Sequence, residues 1–500
     1  MASAAPRKIT KLLVANRSEI AIRVIRAASE LGLRTVAIYS QEDRFALHRF
    51  KADESYLVGQ GLGPVEAYLN IQSVLGIAKE AKVDAIHPGY GLLSENPDFA
   101  EACEEAGIVF VGPNPAAMRV LGNKISARQL AQKAGAPVMP ATPPLPRDIE
   151  TASAMAQEIG YPMMLKASWG GGGRGMRVIE GEAKLSSEIE AARREAEAAF
   201  GNDEVYLEKL VRRAQHVEVQ ILGDCYGNLV HLHERDCTMQ RRNQKVVERA
   251  PAPYLNSKQR ASLHDTAVRI GDAANYSNAG TVEFLLDVDT GEFYFIEVNP
   301  RIQVEHTVTE VVTGIDLVKA QIRIARGAKI GSDNSGVPQQ ENITVNGHAI
   351  QCRVTTEDPE NNFIPDYGRL IAYRGATGFG IRLDGGTAYS GAVITPFYDS
   401  LLEKVTAWAP TADEAILRMD RALREFRIRG VRTNLVFLEA LLGHSKFRGG
   451  EYTTRFIDET PELFHFAKRR DRATRLLRFI GNVIVNGNPE VTARTVVEPT

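Results

Sequence analysis

Two glutamates, Glu283 and Glu297, stand at the far ends of two strand-like runs, Glu283-Phe-Leu-Leu-Asp-Val and Glu292-Phe-Tyr-Phe-Ile-Glu297, joined by Asp289-Thr290-Gly291. A three-residue hairpin loop with glycine at the left-handed position sets residue 288 opposite 292, and therefore 283 opposite 297. Two carboxylates facing each other on one sheet face repel unless a cation lies with them. Mg²⁺ meets that need, because strand alternation puts the Asn299 oxygen on the Glu297 face, and magnesium is commonly held by a few such oxygens plus substrate phosphates. The structural alternative is a pair of solvated glutamates on an edge hairpin.

Directly after the second strand comes Pro300-Arg301-Ile-Gln303-Val304-Glu305-His306. Arg301 can fork onto a planar oxyanion such as bicarbonate or a carboxylate, Gln303 offers an amide, and Glu305 a base. Upstream, Lys166 ends an apolar strand and is followed by Ala-Ser-Trp-Gly-Gly-Gly-Gly-Arg-Gly175. Glycines let backbone N–H groups close on phosphate oxygens, so this segment reads as a phosphate-covering flap. It has neither the GxxxxGK[ST] pattern nor the strand-then-helix setting of a dinucleotide fingerprint. Met239-Gln240-Arg241-Arg242-Asn243-Gln244-Lys245 concentrates donors that could line the same cleft, with Lys245 fixed by a strand starting at Val246; Arg241 and Arg242 read equally well as solvated. His216 opens an alternating His-Val-Glu-Val-Gln-Ile strand, where a histidine is ordinarily structural.

These groups need a scaffold of several layers. Over Lys11–Tyr39 the apolar runs Leu12-Leu13-Val14 and Val36-Ala37-Ile38 flank a helix with Ile20, Val24, Ala28 and Leu31 at helical spacing, and a second such unit follows at Val83–Val111. A parallel α/β layer is predicted for roughly the first 120 residues. Five prolines in Ala136–Arg147 mark a stiff connector. After it come the lysine-bearing strand Met163–Ser168, a helix around Glu182–Phe200 and strands near Val205–Leu210, His216–Leu222 and Leu229–Glu234. The carboxylate hairpin, Thr281–Asn299, and a helix near Leu317–Ala325 close this middle region. Gly331–Gln340 is a polar linker, and a mixed α+β region begins near Asn346.

At 500 residues the chain should hold about three domains at ~150 residues each. Its 44% hydrophobic and 24% charged residues are ordinary for a globular protein, and a net charge of −2 gives no reason to expect nucleic acid. Four scattered cysteines without a CxxC pair argue against zinc and against a disulfide framework, and favour a reducing compartment. No apolar run reaches the ~18 residues that a membrane helix requires, so no membrane role is expected.

Taken together the segments Leu13-Val-Ala-Asn-Arg-Ser-Glu-Ile-Ala, His87-Pro-Gly-Tyr-Gly-Leu-Leu-Ser-Glu95, Lys166–Gly175, Gln240–Pro253 and Glu297–His306 resemble the biotin carboxylase family of ATP-grasp enzymes over almost the whole chain. Asp358–Asp366, Arg427–Asn434 and Arg472–Ile480 look most like its pyruvate carboxylase branch, with acyl-CoA carboxylase subunits as near competitors. The resemblance implies a Rossmann-like N-terminal domain (1–122), an ATP-grasp domain (123–335) with a mobile lid at about 142–212, a C-terminal mixed α+β domain (346–455), and at 456–500 a linker toward a carboxyltransferase region.

It also implies that bicarbonate is phosphorylated by MgATP to carboxyphosphate, which yields CO₂ beside N1′ of biotin. Lys124, Lys166, His216, Gln240 and the glycines Gly171, Gly172 and Gly173 would contact ATP, with Glu208 and Lys209 at the adenine. Glu283, Glu297 and Asn299 would hold Mg²⁺ or Mn²⁺. Lys245, Arg301, Gln303 and Val304 would seat bicarbonate, Glu305 would be the base, and Arg353 would stabilise the biotin enolate. No Met-Lys-Met biotinylation sequence occurs, so the biotin carrier and the carboxyltransferase are expected outside this chain. Acetyl-CoA is the implied activator, with Arg427, Arg429 and Arg472 as candidates for its site and ordinary surface ion pairs as the alternative reading. A homo-oligomer, dimeric or tetrameric, in bacterial cytoplasm or the mitochondrial matrix is the expected setting.

Overall fold

The computed structural model describes residues 7–169, 176–466 and 472–487. Five parallel strands form the first layer: β1 (Lys11–Val14), β2 (Arg34–Tyr39), β3 (Glu54–Leu57), β4 (Ala85–His87) and β5 (Val109–Phe110), in the order β3-β2-β1-β4-β5. Helix α1 (Ser18–Glu30) crosses over from β1 to β2. Leu13 faces Phe99 and Tyr68 on one side, while Leu12 and Val14 join a core with Ile20 and Val24 on the other. Burial on both faces explains why β1 is an uninterrupted apolar run.

Helix α2 (Lys124–Lys133) is capped by Asn123, whose side chain accepts from the N–H groups of Ile125 and Ser126, and so Lys124 starts the helix at a fixed place. The proline-rich segment is not a free connector. It runs extended along two sheets, with Phe295 N–H donating to Pro137 O at 2.8 Å, Lys209 N–H to Pro140 O at 2.8 Å, and Leu145 N–H to Val205 O at 2.8 Å. Proline suits such an edge because it has no N–H to leave unpaired on the outer side.

A small antiparallel sheet of β6 (Met163–Ala167), β7 (Arg177–Ile179) and β8 (Val205–Lys209), in the order β7-β6-β8, is covered by helix α3 (Leu185–Phe200). Next come β9 (Ala214–Gly223), β10 (Leu229–Arg241), β11 (Gln244–Ala250), helix α4 (Ser257–Ala273), β12 (Asn278–Asp287), β13 (Phe293–Asn299), α5 (His306–Thr313) and α6 (Leu317–Ala325). The last region supplies β14 (His348–Thr355), β15 (Ile381–Gly385), β16 (Leu401–Ala409), α7 (Ala412–Glu425) and α8 (Leu435–Gly443).

The middle and last regions share one eight-stranded antiparallel sheet, β13-β12-β9-β10-β11-β14-β16-β15. It is continuous because β11 pairs with β14, Val247 opposite Cys352. Helices α7 and α8 bury Ile350, Val405, Met419 and Phe437 at one end. Helix α6 packs Leu317, Val318 and Ile322 against Leu12, Val14 and Val24, docking the parallel layer onto the large sheet. Lys404, fully buried on β16, sits 3.0 Å from Glu19 of α1 and donates to Val304 O at 3.1 Å. All three regions therefore meet at the loop 300–305.

Candidate active site

The hairpin places Glu283 opposite Glu297 by a route other than the one expected. The loop is longer than three residues: Asp287 N–H donates to Glu292 O, and Leu286 faces Phe293, one residue out of the expected register. A bulge between Glu283 and Phe284 on one strand and Phe295 and Glu297 on the other restores the carboxylate pair. Bulges re-aim side chains next to functional sites, and Ile296 is the residue this one leaves unmatched. Gly291 has φ +74, as its left-handed position requires.

Lys245 is the centre of the cluster. From β11 its Nζ reaches Glu218 Oε2 at 2.6 Å, Glu283 Oε1 at 2.9 Å and Glu305 Oε1 at 2.6 Å. Glu305, at the start of α5, also accepts from Arg353 Nη2 at 3.1 Å, while Arg353 Nε donates to Glu248 at 2.6 Å. Beneath them Arg235 is wholly buried, and its fork is saturated by Glu218, Gln220, Thr309, Thr281 and Gln303. Gln303 turns its other end to Glu283 Oε1 at 2.8 Å. A buried guanidinium with every donor satisfied fixes the strands and the loop relative to each other.

Burial by itself would raise the Glu305 carboxyl, but Lys245, Arg353 and Arg235 outweigh it and hold it far below the usual carboxylate range. Glu283 is likewise held down against burial by Lys245 and His216. Glu297 goes the other way: burial and the Glu283 charge raise it, against the opposing pull of Lys124, whose Nζ is 3.9 Å away. One carboxylate of the facing pair is thus closely paired with protein cations, and the other has the more distant Lys124.

His216 Nε2 lies 2.9 Å from Glu283 Oε2, and its Nδ1 is 2.7 Å from Gln240 Nε2. Arg301 is held by Glu95, and its Nη2 donates to Asn299 Oδ1 at 3.1 Å, while Asn299 Nδ2 donates to Glu283 Oε1 at 2.8 Å. On the small sheet Lys166 pairs with Glu208, and Lys209 extends instead to Gly160 O at 3.3 Å, because adjacent strand residues point to opposite faces. Val304 contributes its carbonyl to Lys404. Gly171, Gly172 and Gly173 lie outside the described residues. Arg241 and Arg242 both donate to Asn362 at the surface, and Arg241 stacks 4.0 Å over Phe363. Arg427 and Arg429 are exposed on a short edge strand; the Arg472 side chain is outside the described set.

Sequence reasoning passed over Glu218, Arg235, Glu248 and Glu95. Glu218 had a signal: it follows His216 by two residues on an alternating strand and must share its face. Glu248 and Arg235 had none, since each reaches the cluster only through pairing between distant strands.

An oxygen-rich hairpin beside a lysine hub, with a small antiparallel sheet and two flanking α/β regions, is the arrangement of an ATP-dependent carboxylase. Matching family models bear this out: residues 8–118 fit "Biotin carboxylase, N-terminal domain", 123–332 fit "Carbamoyl-phosphate synthase L chain, ATP binding domain", and 351–459 fit "Biotin carboxylase C-terminal domain". The biotin carboxylase domain of the Hydrogenobacter thermophilus 2-oxoglutarate carboxylase, solved as a dimer with MgADP, ADP and bicarbonate, is 45% identical at a TM-score of 0.88, over 92% of this chain and 100% of that one. Rhizobium etli pyruvate carboxylase, solved with the allosteric activator acetyl coenzyme A, is 67% identical at a TM-score of 0.90, over 98% of this chain and 45% of that one. Among relatives, the Bacillus subtilis pyruvate carboxylase is 54% identical over 97% of this chain, and the human mitochondrial pyruvate carboxylase 52% over 96%. The chain spans 42% and 40% of their lengths. The chain belongs to the biotin carboxylase family, whose domain activity is the ATP-dependent carboxylation of biotin.

Proposed function

We propose that this chain carboxylates biotin with bicarbonate through carboxyphosphate, as the first half reaction of a pyruvate carboxylase. The observation that carries this reading is the convergence of Glu305, Lys245, Arg353, Arg301 and Gln303 beside the facing pair Glu283 and Glu297. Glu305, ionised at any working pH, takes the proton of bicarbonate. The freed oxygen attacks the γ-phosphorus of ATP, the new P–O bond forms as the bond to ADP breaks, and carboxyphosphate results. Its breakdown gives CO₂ and phosphate next to biotin; the phosphate takes the N1′ proton and N1′ attacks the carbon of CO₂, so the N–C bond forms as one C–O π bond opens to the carboxylate. A base held so low is weak, yet an arriving anion draws Lys245 and Arg301 toward itself, and Glu305 gains basicity as that positive field is shared.

The donor set fits Mg²⁺ or Mn²⁺. Glu283, Glu297 and the amide of Asn299 would hold the ion, which when bound neutralises the phosphate charge of the nucleotide. Glu297 has no cation nearer than Lys124 among its described contacts. Lys124, Lys166, His216 and Gln240 are assigned to the phosphates, and Glu208 with the backbone at Lys209 to the adenine. Lys245, Arg301, Gln303 and the Val304 backbone seat bicarbonate. Arg353 holds the enolate oxygen of biotin.

A carrier bearing biotin, a carboxyltransferase domain, acetyl-CoA as activator and a second copy of the chain are the proposed partners. Their support is the greater length of the relatives and the dimer and activator in the solved relatives. Bacterial cytoplasm or the mitochondrial matrix is the proposed location. It is supported by the bacterial and mitochondrial relatives and by four free cysteines. Among the described residues no helix is long and apolar enough to cross a membrane.

The test is bicarbonate-dependent ADP release with and without free biotin. Stimulation by biotin supports the reading. Release that biotin leaves unchanged and ammonia accelerates would point to a carbamoyl-phosphate-forming ligase instead.

A further inference from the structure

On the opposite side of β10 from Lys245, three imidazoles collect where β10 meets α4. His231 and His264 lie with ring centroids 4.1 Å apart and planes tilted by 32°, and the His233 ring lies 5.3 Å from the first and 5.2 Å from the second. One ring nitrogen from each lies within 4.8 Å of the other two. The backbone is bent to achieve this: the register against β9 shifts between His231 and Glu234, and His233 has φ +63, a left-handed conformation uncommon for a non-glycine residue. The bulge lets consecutive residues His233 and Glu234 both reach α4, where Glu234 Oε2 meets His264 Nε2 at 2.7 Å.

Each ring has one nitrogen engaged by these contacts and a second outside them. His264 gives Nε2 to Glu234, His231 Nδ1 accepts from the His233 N–H at 3.3 Å, and His233 Nε2 lies 3.3 Å from Ile343 O. A carboxylate on the far nitrogen of a histidine is the usual support of a metal-binding imidazole, since it fixes the tautomer. Nitrogen donors select zinc, cobalt or nickel and not magnesium.

We propose that His231, His233 and His264 form a second metal site, for Zn²⁺ or a similar transition ion, separate from the oxygen-lined hairpin. Three histidines leave the fourth tetrahedral position to water. Ligand nitrogens around such an ion sit about 3.4 Å apart, from Zn–N bonds of ~2.0–2.1 Å, so the rings close only slightly on binding. The ion would clip β10 to α4, beside the connector before β14, where Gln340 brackets the His231 backbone at 2.8 and 3.1 Å.

The experiment dialyses the whole chain against a chelator, then titrates Zn²⁺ by competition with a colorimetric chelator and Co²⁺ by its visible absorption. One Zn²⁺ per chain and a tetrahedral Co²⁺ spectrum are expected. His233→Phe should weaken both by at least about 100-fold, in line with the loss of a ligand, while Mg²⁺-dependent ADP release stays unchanged. His231→Gln, at a half-buried position, repeats the test should the first variant melt early. Undetectable Zn²⁺ uptake by the wild-type chain at micromolar metal, or equal uptake by a folded variant, overturns the proposal.

Discussion

Lys245 Nζ stands 2.6 Å from Glu305 Oε1 and the same distance from Glu218 Oε2, so the proposed base shares its counter-ion with a carboxylate that is fully buried. Replacing Lys245 by Gln leaves Glu218, Glu283 and Glu305 facing one another without that cation. Breaking a buried ion pair typically costs about 3–5 kcal/mol. In the wild type the depressed Glu283 and Glu305 carboxyls contribute stability that is present above pH 4.5 and lost as pH falls through their lower folded values. Without Lys245 their values rise, so the deficit should be largest at pH 7 and above and should shrink toward pH 5. Urea titrations of both proteins at several pH values check this.

The less closely paired member of the carboxylate pair predicts metal behaviour. Glu297 is raised by burial and by Glu283, so a cation must compete with a proton there, and divalent affinity should climb as pH rises above 4.5. Glu297→Gln should lower Mn²⁺ affinity in the presence of ADP by at least about tenfold and flatten that climb. Electron paramagnetic resonance of free Mn²⁺ reads both effects. An unaltered Mn²⁺ titration would remove Glu297 from the metal site.

The hairpin also shows how far the sequence could be read. Alternation pairs Glu283 with Glu297 although a three-residue loop is too short for this turn, because the longer turn and the bulge at Ile296 offset each other. Period-two patterning reports which face a residue occupies but is silent on bulges, which follow from how a strand fits its neighbours. Lys166, Lys245 and Glu305 were legible because each adjoins a distinctive local pattern. Arg235 and Glu248 were not, since their roles arise from β10 lying between β9 and β11 and from β11 reaching β14. The proline-rich stretch was legible as non-helical, yet its docking along β8 and β13 depends on partners about 60 to 158 residues away.

Arg353 bridges Glu248 and Glu305 with two different nitrogens. A lysine cannot reproduce this fork. Arg353→Lys should therefore lower the biotin-stimulated rate by roughly 100-fold, the scale for losing one oxyanion donor. The slow bicarbonate-dependent release without biotin should fall far less. Equal loss in both assays would mean that Arg353 serves Glu305 alone.

Glu403 predicts a stability effect away from the chemistry. Burial, with a smaller push from Asp384 against the hydroxyl of Tyr373, brings its carboxyl up to about 7. The folded chain keeps this proton between pH 4.5 and 7 while the unfolded chain has released it, so the stability present below pH 4.5 declines as pH rises through 7. The decline amounts to at most about 3 kcal/mol for this one group. Glu403→Gln should remove that part of the slope, seen as a smaller drop in Tm between pH 5 and pH 8.

Glu305 carries the central claim. With Glu305→Gln, bicarbonate-dependent ADP release should fall by at least about 100-fold, the low end for a general base, while ATP binding measured by calorimetry stays within about twofold of the wild type. Turnover that persists unchanged in this variant would contradict the account, because no proton acceptor for bicarbonate would then be assigned.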